Sequence, residues 1–290
     1  MISTPFSLEI LGSGGAVITP RPGCACRICE DAISKGPPYA RTGPSVFLHG
    51  PNILIDTPEE SAMQLARARI QQVSACLFTH WHPDHTRGIR VLEMNMDWRR
   101  FTPKACTAVH LFPGTRETFE EHGGLWGALQ YSSQKKFVSI IEHNSLKDVS
   151  IGCCSVTPLA LPFFGGYGFL FSRENKRILV CLDEVKGWSP PPEVLNVDLA
   201  ILPLGIVAVH PPTGAITVSE DNPLRTCELS WDEALELGEK IHAKRTVYIH
   251  LSEPDGISPE EFRELGEQLS RAAGRVIEFG YDGQKIGIGT

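Results

Sequence analysis

The sequence lacks the features that would place the chain in a membrane or send it across one. It contains no run of roughly 18 apolar residues, which excludes an ordinary membrane-spanning helix. Residues 1–10 have no basic start followed by an apolar block, so we expect no signal peptide. The chain has 9 cysteines, and without such a signal they indicate a reducing, cytoplasmic compartment. There, clustered thiols more often bind metal than form disulfides.

Excess positive charge is also absent. The chain has 27 Lys and Arg against 34 Asp and Glu, a formal net charge of -7. Nothing electrostatic therefore draws the whole surface toward nucleic acid or anionic lipid. We expect a small-molecule substrate, no membrane partner and no nucleic-acid partner.

No internal repeat, low-complexity tract or linker divides the 290 residues, so we predict a single domain over residues 1–290. Short apolar runs with turns or helices between them predict many strands. Many strands with a few well-capped helices indicate an α/β sandwich. The predicted strands lie at 6–11, 45–48, 52–55, 75–79, 107–111, 137–142, 154–161, 169–172, 177–182, 199–203, 246–249 and 276–279.

Three helix starts and one irregular segment complete the predicted organisation. Thr57, Ser230 and Ser258 are each followed three positions later by glutamate, the pattern of a capping box. Helices should follow them to about residues 68, 241 and 273. The segment 208–228 contains prolines and glycines without a clear period, which predicts a loop or lid.

Three apolar runs each end in a residue type that binds metal. Residues 75–78 lead into a cluster of histidines, residues 178–182 into an aspartate, and residues 247–249 into another histidine. Because ligands gather outside the carboxyl ends of buried strands, these endings predict one shared site. Imidazole and carboxylate together suit zinc, manganese or iron. The predicted ligands are His80, His82, Asp84, His85, Asp183 and His250.

The spacing within residues 80–85 favours two adjacent ions. His80 and His82 are two positions apart, so an extended loop turns both to one side, while Asp84 and His85 follow at once. One pair can serve each ion. The alternative is a polar loop rich in histidine by chance, which is disfavoured because the chain has only 10 histidines.

The segment 80–85 reads His-Trp-His-Pro-Asp-His and so resembles the His-x-His-x-Asp-His signature of the metallo-β-lactamase superfamily. The resemblance extends from the glycine turn at 11–14 to residues 279–280, and looks closest to the phosphoribosyl 1,2-cyclic phosphodiesterases and their transfer-RNA 3′-processing relatives. It implies a four-layered αβ/βα sandwich with the site at one edge between the two sheets. It also implies that Asp183 bridges two metals, that His250 completes the second site, and that the chain forms a homodimer.

A second cluster lies in the Pro- and Gly-bounded loop 20–30. Cys24, Cys26 and Cys29 can hold a structural zinc if a fourth ligand comes from elsewhere. In the resembling family that ligand is a histidine three positions after the last active-site histidine, and Glu253 stands there in this chain. The alternative is three reduced cysteines without metal.

The chain departs from the family where a third histidine of the first metal is expected. The strand near 156–162 is followed by Phe163 and Phe164. The first site then keeps three ligands, which is enough for a catalytic zinc, or the active site holds one ion rather than two. His143 and His210 could replace the missing ligand, but both read as surface loop residues.

A second departure concerns Glu228, which stands where family members carry a histidine thought to contact the phosphate or the leaving group. An ionised glutamate would repel phosphate, whereas a protonated one with a raised pKa could act as a general acid. The alternative is a solvated acid before the helix at Ser230. The sequence leaves both readings open.

The expected chemistry is hydrolysis assisted by one or two zinc or manganese ions, which lower the pKa of bound water to about 7. Asp84 is placed to bind metal and orient the nucleophile. We predict cleavage of a small, cyclic or linear phosphodiester by metal-bound hydroxide. The alternatives are transfer-RNA 3′ processing, a lactone or thioester hydrolase, and a non-hydrolytic protein similar to those of pyrroloquinoline-quinone biosynthesis, which also carry a cysteine cluster.

Overall fold

The computed structural model describes residues 6–288. Residues 1–5, which open the segment where no signal peptide is expected, and residues 289–290 lie outside the described part. Within residues 6–288, no helix combines the length and apolar character needed to cross a bilayer.

The described chain folds into helices and strands that alternate along its length. Three short 3-10 helices also occur, at Ile89–Asn95, Pro192–Val194 and Glu253–Asp255. The helices are α1 (Arg27–Lys35), α2 (Ser61–Ala68), α3 (Pro83–Thr86), α4 (Thr115–Glu121), α5 (Leu125–Gln134), α6 (Leu224–Cys227), α7 (Trp231–Ile241) and α8 (Pro259–Ala273). The strands are β1 (Ser7–Gly12), β2 (Ser45–His49), β3 (Ile53–Ile55), β4 (Ala75–Leu77), β5 (Met96–Asp97), β6 (Thr102–Pro103), β7 (Thr107–Leu111), β8 (Val138–Glu142), β9 (Val149–Ile151), β10 (Cys154–Ala160), β11 (Tyr167–Arg173), β12 (Lys176–Val180), β13 (Leu199–Pro203), β14 (Arg245–Ile249), β15 (Val276–Phe279) and β16 (Lys285–Gly287).

Two seven-stranded sheets carry the fold. The first has the order β16-β1-β2-β3-β4-β7-β8, and the second has the order β15-β14-β13-β12-β11-β10-β9. β5 and β6 form a separate two-stranded ribbon. Each predicted strand is found, and the four that the sequence did not predict (β5, β6, β9 and β16) are two or three residues long.

The strands nearest the middle of the second sheet are apolar on both faces. In β12, Ile178 and Val180 pack in the core that joins the two sheets, whereas Leu179 packs in the core under the helices. Successive side chains of a strand point to opposite faces, so a strand with helices on one side and a sheet on the other reads as a continuous apolar run.

Helices cover the outer face of each sheet. Leu237 of α7 and Phe262 of α8 belong to the core outside the second sheet, and Leu65 of α2 and Leu129 of α5 belong to the core outside the first. The layers are therefore helix, sheet, sheet, helix. The predicted four-layered αβ/βα sandwich is confirmed.

Parallel strands bring the ends of distant segments to one edge of the sandwich. β3, β4, β7 and β8 run parallel in the first sheet, and β12 to β15 run parallel in the second. Asp56 and His80 follow β3 and β4, while Asp183 and His250 follow β12 and β14. Side chains from four strands and both sheets can thus meet at this edge.

Two of the three predicted helix starts are confirmed, and one is wrong. α7 and α8 begin after Ser230 and Ser258, and each start has a complete capping box. The helix expected after Thr57 begins only at Ser61. The reason is tertiary: the Thr57 N–H donates to the carbonyl of His85 at 2.7 Å, so this residue is held by the loop of the candidate site. In the predicted loop 208–228, α6 forms a single helical turn.

Candidate metal-binding active site

The structure brings all six predicted active-site ligands together at this edge. Their ligand atoms form two groups, and within each group all these atoms lie within 4.8 Å of one another. One further residue joins them, a glutamate that the sequence analysis missed. The first group is His80, His82, Asp183 and Glu184, and the second is Asp84, His85 and His250.

Asp183 lies between the two groups. Its Oδ2 is 3.5 Å from Nε2 of His250 and 4.0 Å from Nε2 of both His80 and His85. Asp84 faces the second group alone, with Oδ2 at 3.3 Å from Nε2 of His85 and 3.6 Å from Nε2 of His250. The Asp183 carboxylate therefore lies near histidines of both groups.

Three buried histidine nitrogens indicate that metal ions fit this site. The Nε2 atoms of His80, His85 and His250 are buried and have no hydrogen-bond partner within residues 6–288. A buried polar nitrogen without a partner costs about 1–3 kcal/mol, so three at one place require an explanation. Cations bound by these nitrogens and the neighbouring carboxylates supply it, and this donor set suits divalent zinc, manganese or iron.

Asp56 orients one of these histidines, and the sequence analysis did not find it. The carboxylate is fully buried, lies 2.7 Å from Nδ1 of His85, and accepts hydrogen bonds from Thr79 through its N–H (2.7 Å) and Oγ1 (2.5 Å). With Nδ1 facing Asp56, the Nε2 of His85 points to the second group and is free to bind metal. The available signal was an aspartate directly after the apolar run 53–55, the same pattern that revealed Asp183.

Two neighbouring imidazoles of the site, His85 and His80, have opposite pKa shifts. Burial opposes protonation of His85, but Asp84 and Asp56 outweigh it and raise the pKa of His85 well above its ordinary value. His80 is equally buried, and burial together with the charge of His85 holds its pKa well below the ordinary value. The pKa of Asp84 is lowered, because His85 and His250 outweigh the effect of burial. The second group therefore favours positive charge strongly.

Phe163 occupies the side of the first group where a third histidine was expected. Its ring centroid is 5.6 Å from that of His80 and 5.1 Å from that of His82, both edge to face. The neighbouring Phe164 is 71% exposed and turns away to solvent. The apolar ring shields the two histidines on this side without offering a ligand.

Neither histidine considered as a replacement belongs to the site. His143 lies 2.9 Å from Nδ1 of His110 and stacks on Phe112. The expectation that His210 is a surface residue is wrong, because it is only 7% exposed, with Nδ1 at 2.8 Å from Oγ1 of Thr213.

Glu228 lies beside the ligands without joining either group. It follows α6, and its backbone carbonyl accepts a hydrogen bond from Nζ of Lys186 at 2.6 Å. Burial of the carboxyl, and then the charge of Asp183, raise the pKa of Glu228. Both effects favour the protonated form that a general acid needs.

The predicted structural zinc ligands also come together. Cys24, Cys26, Cys29 and Glu253 place one ligand atom each within 4.8 Å of one another. Oε1 of Glu253 accepts from Sγ of Cys24 at 3.2 Å and from Sγ of Cys26 at 2.9 Å, while Arg21 donates to Oε2 at 2.9 Å. Burial, and then the hydrogen bond to Glu253, raise the pKa of the Cys26 thiol to about 12. This cluster joins the loop 20–30 to the segment that follows His250.

A known protein family matches the region that contains both ligand groups. The model of the beta-lactamase superfamily domain matches residues 51–251, which is more than half of the sequence. The chain belongs to the beta-lactamase superfamily. The matched region contains all seven residues of the two ligand groups.

Several solved structures share the fold over nearly the whole of this chain. A diphosphatase from the PhnP family has a TM-score of 0.70 and 22% identity and covers 98% of both chains. Zn(2+)-bound PqqB from Methylobacterium extorquens has a TM-score of 0.72 and 14% identity, covering 97% of this chain and 100% of that one. A long-form RNase Z from yeast has a TM-score of 0.61 and 14% identity, covering 98% of this chain and 42% of that one. At these identities the similarity shows a shared fold.

One curated relative matches a shorter segment. An octanoyltransferase from Porphyromonas gingivalis (strain ATCC BAA-308 / W83) is 36% identical over 96 residues, which is 31% of this chain. The chain covers only 18% of the length of that relative.

Proposed function

We propose that this superfamily member is a metal-dependent hydrolase that cleaves a small linear or cyclic phosphodiester. The observation that carries the proposal is the pair of adjoining ligand groups joined by Asp183, with three buried imidazole nitrogens that lack other partners. The structural similarity to a PhnP-family diphosphatase supports phosphorus chemistry over other hydrolyses.

Six of the seven residues in these groups are proposed as ligands of two zinc or manganese ions. His80 and His82 would hold the first, Asp84, His85 and His250 would hold the second, and Asp183, which lies near histidines of both groups, would serve both. When bound, such ions lower the pKa of water to about 7 and neutralise negative charge on phosphoryl oxygens. Asp84, whose pKa is lowered, remains an ionised acceptor that orients the attacking water.

Glu228 is proposed as the group that protonates the departing oxygen. Its raised pKa keeps a larger fraction of the carboxyl protonated near neutral pH than an ordinary glutamate would have. Phe163 is proposed to restrict water beside His80 and His82.

The cysteine cluster is proposed as a separate, structural zinc site. Three thiols and the Glu253 carboxylate give four donors, the number that a closed structural zinc shell requires. Arg21 neutralises the outer oxygen of the carboxylate. We expect this site to hold the loop 20–30 against the segment after β14.

The proposal is tested by measuring phosphodiester hydrolysis of wild type loaded with zinc or with manganese, using bis(p-nitrophenyl) phosphate and a cyclic phosphodiester. Asp84→Ala should reduce kcat/KM on the order of 10³-fold, since a metal contributes several kcal/mol of transition-state stabilisation. Asp232→Ala, at an exposed position in the first turn of α7, is the matched control and should retain activity. Absence of turnover with both metals, or full activity of Asp84→Ala, would contradict the proposal.

A second candidate is hydrolysis of an acyl thioester or lactone. The apolar ring of Phe163 at the first ligand group and the 36% identity to an octanoyltransferase over 96 residues favour an acyl chain. An octanoyl thioester and an acyl lactone assayed beside the phosphodiesters decide between the two. A larger kcat/KM on either acyl substrate would replace the phosphodiesterase assignment.

A further inference from the structure

We propose that Glu184 is a ligand of the first metal ion and takes the place of the histidine that the chain lacks at Phe163. The inference rests on the proposed metal-dependent function and identifies how its first site is completed. Without Glu184, this ion has only His80, His82 and the shared carboxylate of Asp183.

The position of Glu184 follows from the backbone. It comes directly after Asp183, and it adopts φ 57°, in the left-handed region that residues other than glycine rarely enter. This conformation costs roughly 1–2 kcal/mol and persists where surrounding structure or function demands it. Two consecutive carboxylates thereby reach one ligand group.

The contact between Glu184 and His82 has the spacing of two ligands of one ion. Oε1 of Glu184 is 3.4 Å from Nδ1 of His82, which is longer than a good hydrogen bond. Bonds of roughly 2.0–2.1 Å in a tetrahedral zinc shell separate neighbouring ligand atoms by about 3.3 Å. Within residues 6–288, no lysine or arginine lies within ion-pair distance of Glu184.

A second, independent observation comes from His80 on the other side of the same group. The imidazole is 1% exposed, and its Nε2 has no hydrogen-bond partner within the described residues. A ring nitrogen of His80 and a carboxylate oxygen of Glu184 lie within 4.8 Å of each other. A cation between them satisfies both.

The charge of Glu184 also bears on the substrate. Two divalent ions held by Asp84, Asp183 and Glu184 retain one net positive charge, whereas a histidine in place of Glu184 would leave two. The smaller charge suits a singly charged phosphodiester better than a doubly charged phosphate monoester. This consequence agrees with the proposed function but is measured separately from it.

The experiment compares metal affinity in wild type, Glu184→Gln and Glu174→Gln. Metal-free proteins are titrated with Zn²⁺ by calorimetry, and bound metal is counted by elemental analysis. Glu184→Gln should lower the affinity for one active-site ion by at least about tenfold. Removing even an outer partner of a metal ligand causes a loss of this size. Glu174 is a matched control, because it is also a glutamate at positive φ (54°) but is 80% exposed on the turn before β12.

Rescue separates ligation from a general effect of the substitution. Phe163→His introduced into Glu184→Gln should return the lost affinity, and Glu184→His should keep it. Cobalt(II) provides a further control, since thiolate absorption reports only the cysteine cluster and should be unchanged in all these variants. Equal melting temperatures of the metal-free proteins verify that each variant folds.

Equal Zn²⁺ affinity of wild type and Glu184→Gln would overturn the proposal. These titrations need no substrate, so they remain informative if the phosphodiester assays fail. Conversely, active enzyme with unchanged affinity in Glu184→Gln would leave the proposed function standing and remove only the role of Glu184.

Discussion

His85 illustrates how one distant residue prepares a metal ligand. Its Nδ1 faces Asp56 at 2.7 Å, and Thr79 holds that carboxylate through two hydrogen bonds. The partner fixes which ring nitrogen carries the proton and which is left to bind metal. We therefore propose that Asp56 positions His85 for the proposed second ion.

Replacing Asp56 by asparagine should lower the zinc affinity of the second site about 10- to 100-fold, because the amide cannot stabilise the orienting proton as the carboxylate does. Titration of the metal-free protein with Zn²⁺ measures the change. Asp198→Asn is the control, since Asp198 accepts hydrogen bonds from Arg177 and Lys244 at the opposite end of the parallel strands. Equal affinities of the two variants would contradict the role of Asp56.

The loss of activity on replacing Glu228 should be larger when the leaving group needs a proton to depart. We expect Glu228→Gln to reduce kcat strongly for an alkyl phosphodiester and only slightly for a p-nitrophenyl ester, whose phenolate departs unaided. In wild type the alkyl reaction should decline as pH rises through the raised pKa of Glu228, because the proton donor is then lost. An equal loss on both esters, or an unchanged pH profile in Glu228→Gln, would argue for a solvated, non-catalytic glutamate.

At the scale of elements, His110 on β7 and His143 directly after β8 form a pair that makes this part of the first sheet sensitive to acid. Burial, and then the charge of His143, lower the pKa of His110 to about 4. Burial also lowers the pKa of His143. Both histidines are neutral in the folded protein, so protonation favours the unfolded chain.

The sign of the pH dependence follows from these shifts. A histidine whose pKa is depressed on folding contributes stability that is fully present above about pH 6.5 and is lost as pH falls toward about 4. The free energy of unfolding should fall by about 1 kcal/mol per pH unit from His110 in this range. Urea unfolding of the metal-free protein at several pH values measures the slope, which His110→Asn should reduce. A variant with the wild-type slope would contradict this assignment.

At the scale of the whole molecule, the negative net charge favours a small phosphodiester over transfer RNA as the substrate. A formal net charge of -7 disfavours binding to a polyanion, whose many phosphates must be neutralised. We expect no transfer-RNA binding tighter than about 10⁻⁶ M at physiological salt, the strong end of non-specific association. Fluorescence anisotropy with labelled transfer RNA at two salt concentrations measures this. Tighter binding that weakens steeply with salt would restore the RNA-processing alternative.

The family resemblance also predicts that the whole molecule forms a homodimer. It remains a prediction, and light scattering of the wild-type protein after size exclusion would test it. A monomer at all concentrations would remove the expectation without affecting the metal groups, since each is complete within one chain.

The sequence by itself determined the features whose information is local. The strands at 178–182 and 247–249 end in Asp183 and His250, and the spacing within residues 80–85 places the remaining ligands without knowledge of the fold. The capping boxes at Ser230 and Ser258 were equally local, since a cap is complete within four residues.

Only the tertiary structure decided which residues surround those ligands. Asp56 reaches His85 across 29 positions of sequence, and Thr57 loses its expected capping role because the same loop takes its N–H. Glu184 joins His82 only because strands of two different sheets end at one edge. Hydrogen bonds and metal ligands depend on distances of a few ångströms, and for residues far apart in the chain those distances are set by how the two sheets pack.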